Sequence, residues 1–467
     1  MSRLHLRRMV ARLAIVGASV ALSAVGLTTA SVSAAGAAPS VPGVTGTSIT
    51  IGATVPLTGI ASPGYNEVAK AADAVFKWVN SHGKVNGRTI NYDLVDDCYG
   101  TPGFGCKGNP DTHADTVTLV TKDHVFATVG SLGTPTQAPE RSYLKSVGTP
   151  QLFVNSGSID WNCVAGAGTP ASACASTTYP GTFGWQPSYT TESKILSLYI
   201  RANYTHQKVC FLGQNDDFGH DGELGLVYGG IPLTVTDYYS VDALVLNGAS
   251  SITPYIESFQ SHGCTVVYLD TIPGATAAAL GNAEALKYSP HWVISSVGSD
   301  PTTVATELGS TPDSEPGAIS FAYLATTHGL TDPWISWTYK VLEADQSQFP
   351  GFNSKSVLNG NEAYGVGWGV AFVEALRAAG RNFTQASFLH ILTSTSFDTP
   401  AITPLQYTST NHQGLIGGFI SKIESTTATE LAPGTNGRGV VWQTNSTKTG
   451  KVTVTKTLSL TVPSWLQ

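Results

Sequence analysis

Charge is scarce in this sequence. Only 12% of its 467 residues are Asp, Glu, Lys or Arg, with 25 basic against 32 acidic residues and a net charge of −7. A thinly charged, acidic chain lacks the basic surface that nucleic acid requires, so no nucleic-acid partner is expected. Catalytic signatures are missing as well. There is no G-x-S-x-G elbow, no H-E-x-x-H pair, no phosphate-loop Lys motif and no G-x-G-x-x-G after a strand. The eleven His are scattered. Without a nucleophile–base pairing, the expectation is a protein that is not an enzyme. After the first 40 residues, no apolar run reaches the ~18 residues of a membrane span.

The amino terminus has its own pattern. Arg3, Arg7, Arg8 and Arg12 precede the apolar run LAIVGASVALSAVGL. Small residues follow, with Val32-Ser33-Ala34 and Ala35-Gly36-Ala37 as cleavage-type triplets. Residues 1–37 therefore read as a secretory signal peptide cleaved near Ala34–Ala37. A retained anchor is the alternative. Cleavage removes four Arg and leaves 21 basic against 32 acidic residues, a net charge of −11. No Cys precedes Cys98, so the lipid-attachment Cys of a lipoprotein is absent. The expected location is the periplasm or cell-envelope space. The remaining ~430 residues are too many for one core and suggest two lobes.

Six Cys in an exported chain suggest disulfides. Cys98 and Cys106 are close in sequence, as are Cys163 and Cys174, which leaves Cys210 and Cys264. Six Cys allow 15 pairings, so this local set is one choice among them. The spacing lacks CxxC pairs and flanking His, so no metal and no cofactor are expected.

What the chain does have is a βαβα rhythm. Strands are predicted at 48–55, 88–95, 126–129 and 151–154, with helices at 67–79, 112–120 and 135–147 between them. A loop-rich insert, 157–180, follows. The rhythm restarts with strands at 208–212, 233–241, 265–270 and 292–297 and helices at 192–202, 219–228, 252–261 and 275–286. Helices at 334–344, 364–379 and 387–392 come next, then β-like runs at 415–423, 439–444 and 451–460. This is an α/β chain with parallel sheets covered by helices.

One loop invites a ligand. In VGSLGTPTQAP, Gly130 and Gly133 permit a bend, Thr134 suits the N-cap of a helix and Pro135 its first turn. Free N–H groups at such a start attract an anion. With no Lys or Arg there, a single carboxylate fits better than a phosphate. Asn155-Ser156-Gly157-Ser158, one strand on, is a second hydroxyl-rich loop at the strand ends where open sheets bind ligands. Both loops could equally be plain helix caps. Asp96-Asp97 reads as a strand-end pair, and Asp216-Asp217 as a helix start rather than a calcium loop.

ITIGATVPLTG, VNSHGKVNGRTINYDLVDD, FATVGSLGTPTQA, VGTPQLFVNSGS, QNDDFG and EALRAAG, in that order, resemble the periplasmic leucine/isoleucine/valine-binding proteins of ABC transporters. The resemblance covers about residues 48–395. It implies the type I periplasmic binding fold: two Rossmann-like lobes with parallel sheets, joined by a three-stranded hinge and closing on a small ligand. The implied division is 48–182 with about 300–395 in lobe 1, and 183–299 with about 396–467 in lobe 2. It implies that a ligand carboxylate rests on Gly133-Thr134 and on Ser156-Gly157-Ser158, with Phe218 as the aromatic of the second lobe. The family's acid for the α-ammonium would fall near Gly274-Ala275, which carries no charge. Asp270 is the nearest acid. Otherwise the ligand has no ammonium group: an amide, a urea-like compound or a carboxylate. Tyr65, Trp161, Trp185 and Tyr364 are further candidates for the cleft wall.

The expected function is therefore a solute-binding protein, monomeric, passing an amino acid, amide or small carboxylate to an ABC transporter permease. A ligand-sensing module acting through a membrane partner is the second reading, and a hydrolase on the same scaffold the third.

Overall fold

The computed structural model describes residues 41–162, 178–310, 315–424, 428–430, 440–456 and 462–466. Among these residues the strands gather into two main sheets. The first is parallel, in the order β2 (Thr89–Asp96), β1 (Ser48–Val55), β3 (Thr128–Val129), β4 (Gln151–Val154), β5 (Thr182–Gly184). The second has a parallel core of β7 (Leu233–Tyr239), β6 (Val209–Gln214), β8 (Val266–Asp270), β9 (His291–Ile294) and β10 (Ile319–Ala322). Antiparallel strands extend it: β13 (Gly417–Ile423), β15 (Val440–Gln443) and β16 (Thr453–Lys456), with β14 (Ala428–Glu430) also on β13. β11 (Ser396–Phe397) and β12 (Leu405–Gln406) pair separately. Val, Ile and Leu fill strands such as β8, VVYLD, because both faces of a parallel sheet lie under helices.

The helices needed below are α1 (Ser62–Ser81), α2 (Thr134–Gln137), α3 (Tyr189–Asn203), α4 (Asp217–Tyr228) and α5 (Gly360–Ala379). The chain passes between the two sheet units three times: after β5, after β10 and before β13. β10 hydrogen-bonds between β9 and β13, so the second unit runs past residue 300 to Ala322 before the chain returns. Its four residues, ISFA, follow Pro316-Gly317, and so short a run has no readable period.

Most predicted elements form, with local differences. The helix expected over 135–147 divides into α2 and Glu140–Val147, because Pro139 has no N–H to donate. The strand expected to reach Val241 stops at Tyr239. Ser240 accepts from the Ala243 N–H at 3.3 Å and starts a helix, Val241–Asn247. Cys98–Cys106 and Cys210–Cys264 are disulfides, with Cα separations of 5.5 and 5.9 Å. Cys163 and Cys174 lie outside the described residues, as does the leader. No described helix is long and apolar enough to cross a membrane.

Candidate functional site: a tyrosine-lined cavity between the two sheets

Two helices of the first unit form one wall. α1 presents Tyr65 and Val68, and α5 presents Asn361 and Tyr364. They meet closely because Gly365 has no side chain. A Cβ there would lie 2.0 Å from the Val68 carbonyl oxygen. The Tyr364 phenol donates to Gln186 Oε1 at 2.7 Å, which fixes its ring.

The strand-end loops form the floor. Gly130 and Gly133 have φ of 73° and 117°, as the opening of the loop requires. Gly133, not Thr134, precedes the helix, and Thr134 is its first residue. The expected capping by Thr134 therefore does not occur. Its hydroxyl meets Ser156 Oγ at 2.8 Å instead. Tyr189, at the start of α3, brings its phenol to both hydroxyls. Ser156 itself sits one layer behind, fully buried, and accepts from the Ser158 N–H at 3.1 Å.

The second unit closes the far side. Phe218 in α4 packs against the Tyr189 ring at 4.5 Å between centroids. Ser296 and Val297, after β9, complete this wall with Tyr323. Asp216 stands at the start of α4 and accepts from the Phe218 N–H at 2.9 Å, the helix-start role expected of it. Tyr99, beside the disulfide Cys98–Cys106, spans to this unit, its hydroxyl accepting from Gln214 Nε2 at 3.2 Å. The empty space between these walls is about 510 Å³, part of it open to solvent.

Of the residues singled out by sequence, Tyr65, Gly133, Thr134, Phe218 and Tyr364 line this one cavity. Ser156 lies just behind it. Ser158, Asp270, Trp161 and Trp185 do not line it. Ser158 interacts with Asp221 of α4, whose carboxylate also accepts from the Ile159 N–H at 2.8 Å. Asp270 is wholly buried against α4, so close that a Cβ at Gly222 would lie 1.7 Å from its Oδ2. Burial, with Glu192 nearby, pushes the Asp270 carboxyl well above the usual range. Trp161 bonds Gln151 Oε1 at 3.1 Å inside the first unit, and Trp185 packs edge-on to Tyr364 from the core side. Sequence reasoning missed Tyr99, Gln186, Tyr189, Ser296 and Tyr323. Each lies at an element's end, and only the chain crossings bring them together.

The electrostatics are distinctive. No Asp, Glu, Lys, Arg or His is among the described residues lining the cavity. Burial pushes the phenols of Tyr65, Tyr99, Tyr189, Tyr323 and Tyr364 up, so all five are neutral hydroxyls. Glu192 stands directly behind Ser296, accepting its N–H at 2.5 Å and its hydroxyl at 2.7 Å. Burial raises the Glu192 carboxyl to about 7, against the pull of those two donors.

Residues 48–428 match the family model described as periplasmic binding protein. The chain belongs to this family. No curated protein matches it. Among solved structures it is similar to a possible leucine/isoleucine/valine-binding protein from Rhodopirellula baltica SH 1, at 18% identity and a TM-score of 0.65, covering 85% of this chain and 98% of that one. It is similar to a branched chain amino acid ABC transporter from Thermus thermophilus with bound valine, at 17% identity and a TM-score of 0.64, covering 83% and 95%. A solute binding protein of an ABC transporter from R. palustris, in complex with 4-hydroxybenzoate, shares 14% identity and a TM-score of 0.62, covering 82% and 96%. At these identities the likeness establishes the fold. The two sheets of this periplasmic binding protein are those of the two-lobed type I arrangement.

Proposed function

We propose that this periplasmic binding protein is an extracytoplasmic solute-binding protein of an ABC importer, exported by a leader cleaved near Ala34–Ala37. The carrying observation is the cavity between two α/β units that the chain joins by three crossings. Hinge closure shuts the cavity on an amino-acid-like, carboxylate or amide ligand, and the closed form docks on the permease. The ligand's polar end rests on Gly133 and Thr134, with Ser156 supporting the Thr134 hydroxyl. Tyr65, Phe218 and Tyr364 pack its body. Valine and 4-hydroxybenzoate, the ligands of two structural relatives, are both small carboxylates. The Tyr99–Gln214 bond and the Asp221–Ile159 bond both join the two units across the cleft. They support a closed form.

The test is thermal unfolding of residues 39–467 against amino acids, amides, urea and amine-free carboxylates, with small-angle scattering of the hits. A ligand at ~100 times its Kd stabilises the fold by about 2.7 kcal/mol and should also compact it. If no member of this broad panel moves the midpoint or the scattering, the solute-binding reading fails.

A further inference from the structure

We infer that the cavity takes an amine-free compound, a planar carbonyl head on an aromatic body, and discriminates against ligands bearing a primary ammonium group. The inference rests on the solute-binding reading and names the ligand class of that site.

The first ground is what an ammonium would meet. Burying a primary ammonium needs hydrogen-bond acceptors and an anionic partner. No carboxylate lines the cavity among the described residues. Glu192, behind the wall, already accepts from Ser296 with both oxygens. Asp270 faces α4, and Asp221 faces Ser158 and Ile159. Asp216 is held by the Phe218 N–H and by Gln214 Nε2 at 2.5 Å. Gly274 and Ala275, at the start of the helix Pro273–Ala285, carry no charge themselves; the Glu307 carboxylate lies 3.8 Å from where a Gly274 Cβ would stand, but Glu307 does not line the cavity.

The second ground is what the cavity does present. Hydroxyls of Thr134 and Tyr189 meet at one end, with the Ser156 hydroxyl behind them. Hydroxyls donate to carbonyl and carboxylate oxygens without bringing a full charge. Around the rest stand rings, Tyr65, Tyr99, Phe218, Tyr323 and Tyr364. At least two of these phenols are engaged in the wall, Tyr99 with Gln214 and Tyr364 with Gln186. Such phenols add apolar ring surface to the wall while their polar ends are satisfied. Aromatic ligands pack well against such walls. Carboxylate and carboxamide heads share the acceptor chemistry that the hydroxyls require.

The experiment is isothermal titration of the wild-type chain with a matched series: 3-phenylpropionate, 3-phenylpropanamide, benzoate, benzamide, L-phenylalanine and L-leucine. 3-Phenylpropionate and L-phenylalanine differ only by the α-ammonium. The expected result is that at least one amine-free member binds, and that 3-phenylpropionate or its amide binds at least tenfold more tightly than L-phenylalanine. Comparing acid with amide shows which head is preferred. Binding of L-phenylalanine or L-leucine as tight as that of the amine-free members overturns the inference and leaves the solute-binding reading standing. Absence of binding throughout this series also overturns it. The solute-binding reading then falls only if the broad thermal panel is silent too.

Discussion

Replacing Glu192 by Gln should change how stability depends on pH. The wild-type carboxyl is buried behind Ser296, and burial raises it from 4.5 to about 7. A carboxyl raised by folding is stabilising while protonated in both states. Its contribution falls as pH rises from the unfolded value of 4.5 and is lost by the folded value of about 7. Each tenfold change in proton affinity is worth about 1.36 kcal/mol, and part of the loss precedes pH 5, so the wild type loses about 2.5 kcal/mol from this group between pH 5 and pH 8. Glu192→Gln is neutral throughout. Its amide oxygen can accept the Ser296 N–H, and the Ser296 hydroxyl can turn to accept from the amide NH₂. Asp97, raised by burial to about 7, and Glu315 and Glu362, raised by burial to about 8, add to the slope in both proteins and cancel in the difference. Urea unfolding of both proteins at pH 5 and pH 8 gives that difference. The variant should gain about 2.5 kcal/mol on the wild type between the two pH values. A gap of the same size at both would refute the reasoning, because Glu192 would then ionise in the fold as easily as in water.

Other perturbations follow from the same geometry. Gly365→Ala puts a Cβ 2.0 Å from the Val68 carbonyl and should cost about 3 kcal/mol in urea unfolding, because two packed helix backbones must separate. Replacing both Cys210 and Cys264 by Ala opens a 54-residue loop and should cost about 4 kcal/mol; the same change at Cys98 and Cys106 opens an 8-residue loop and should cost about 2.5 kcal/mol, so the urea midpoints should fall in that order. Thr134→Ala removes a hydroxyl from the polar end of the cavity, and calorimetry with the tightest ligand found should show about a tenfold loss of affinity, or ~1.4 kcal/mol. Unchanged affinity there would move the ligand's polar end away from α2.

The two α/β units were legible because parallel strands and their covering helices differ in period, and each period is a local property of ten or so residues. The same holds for the loop at Gly130–Pro135. Glycine and proline act on their own backbone, so a bend can be read without knowing what surrounds it. Even there, the side chain's partner was not local: Thr134 turns to Ser156, 22 residues on, rather than capping its own helix. Pairing Cys98 with its neighbour Cys106, and Cys210 with Cys264 as the two left over, also matches both described disulfides.

What no window of sequence contained was the cavity. Tyr65, Tyr189, Phe218 and Tyr364 are as apolar in pattern as Trp161 and Trp185, yet the first four face the cleft and the last two the core. Asp270 sits beside the cleft in sequence terms and is turned away by the close approach of Gly222. Periodicity tells which side of a helix is buried. Whether that burial is against a neighbour or against an enclosed space depends on where distant segments cross. By itself the sequence determined the two units and their punctuation, since those follow from each residue's own backbone and polarity. The ring-lined interior, without a charged side chain among the described residues, was decided only in three dimensions, where three crossings between the sheets set residues 65 to 364 face to face.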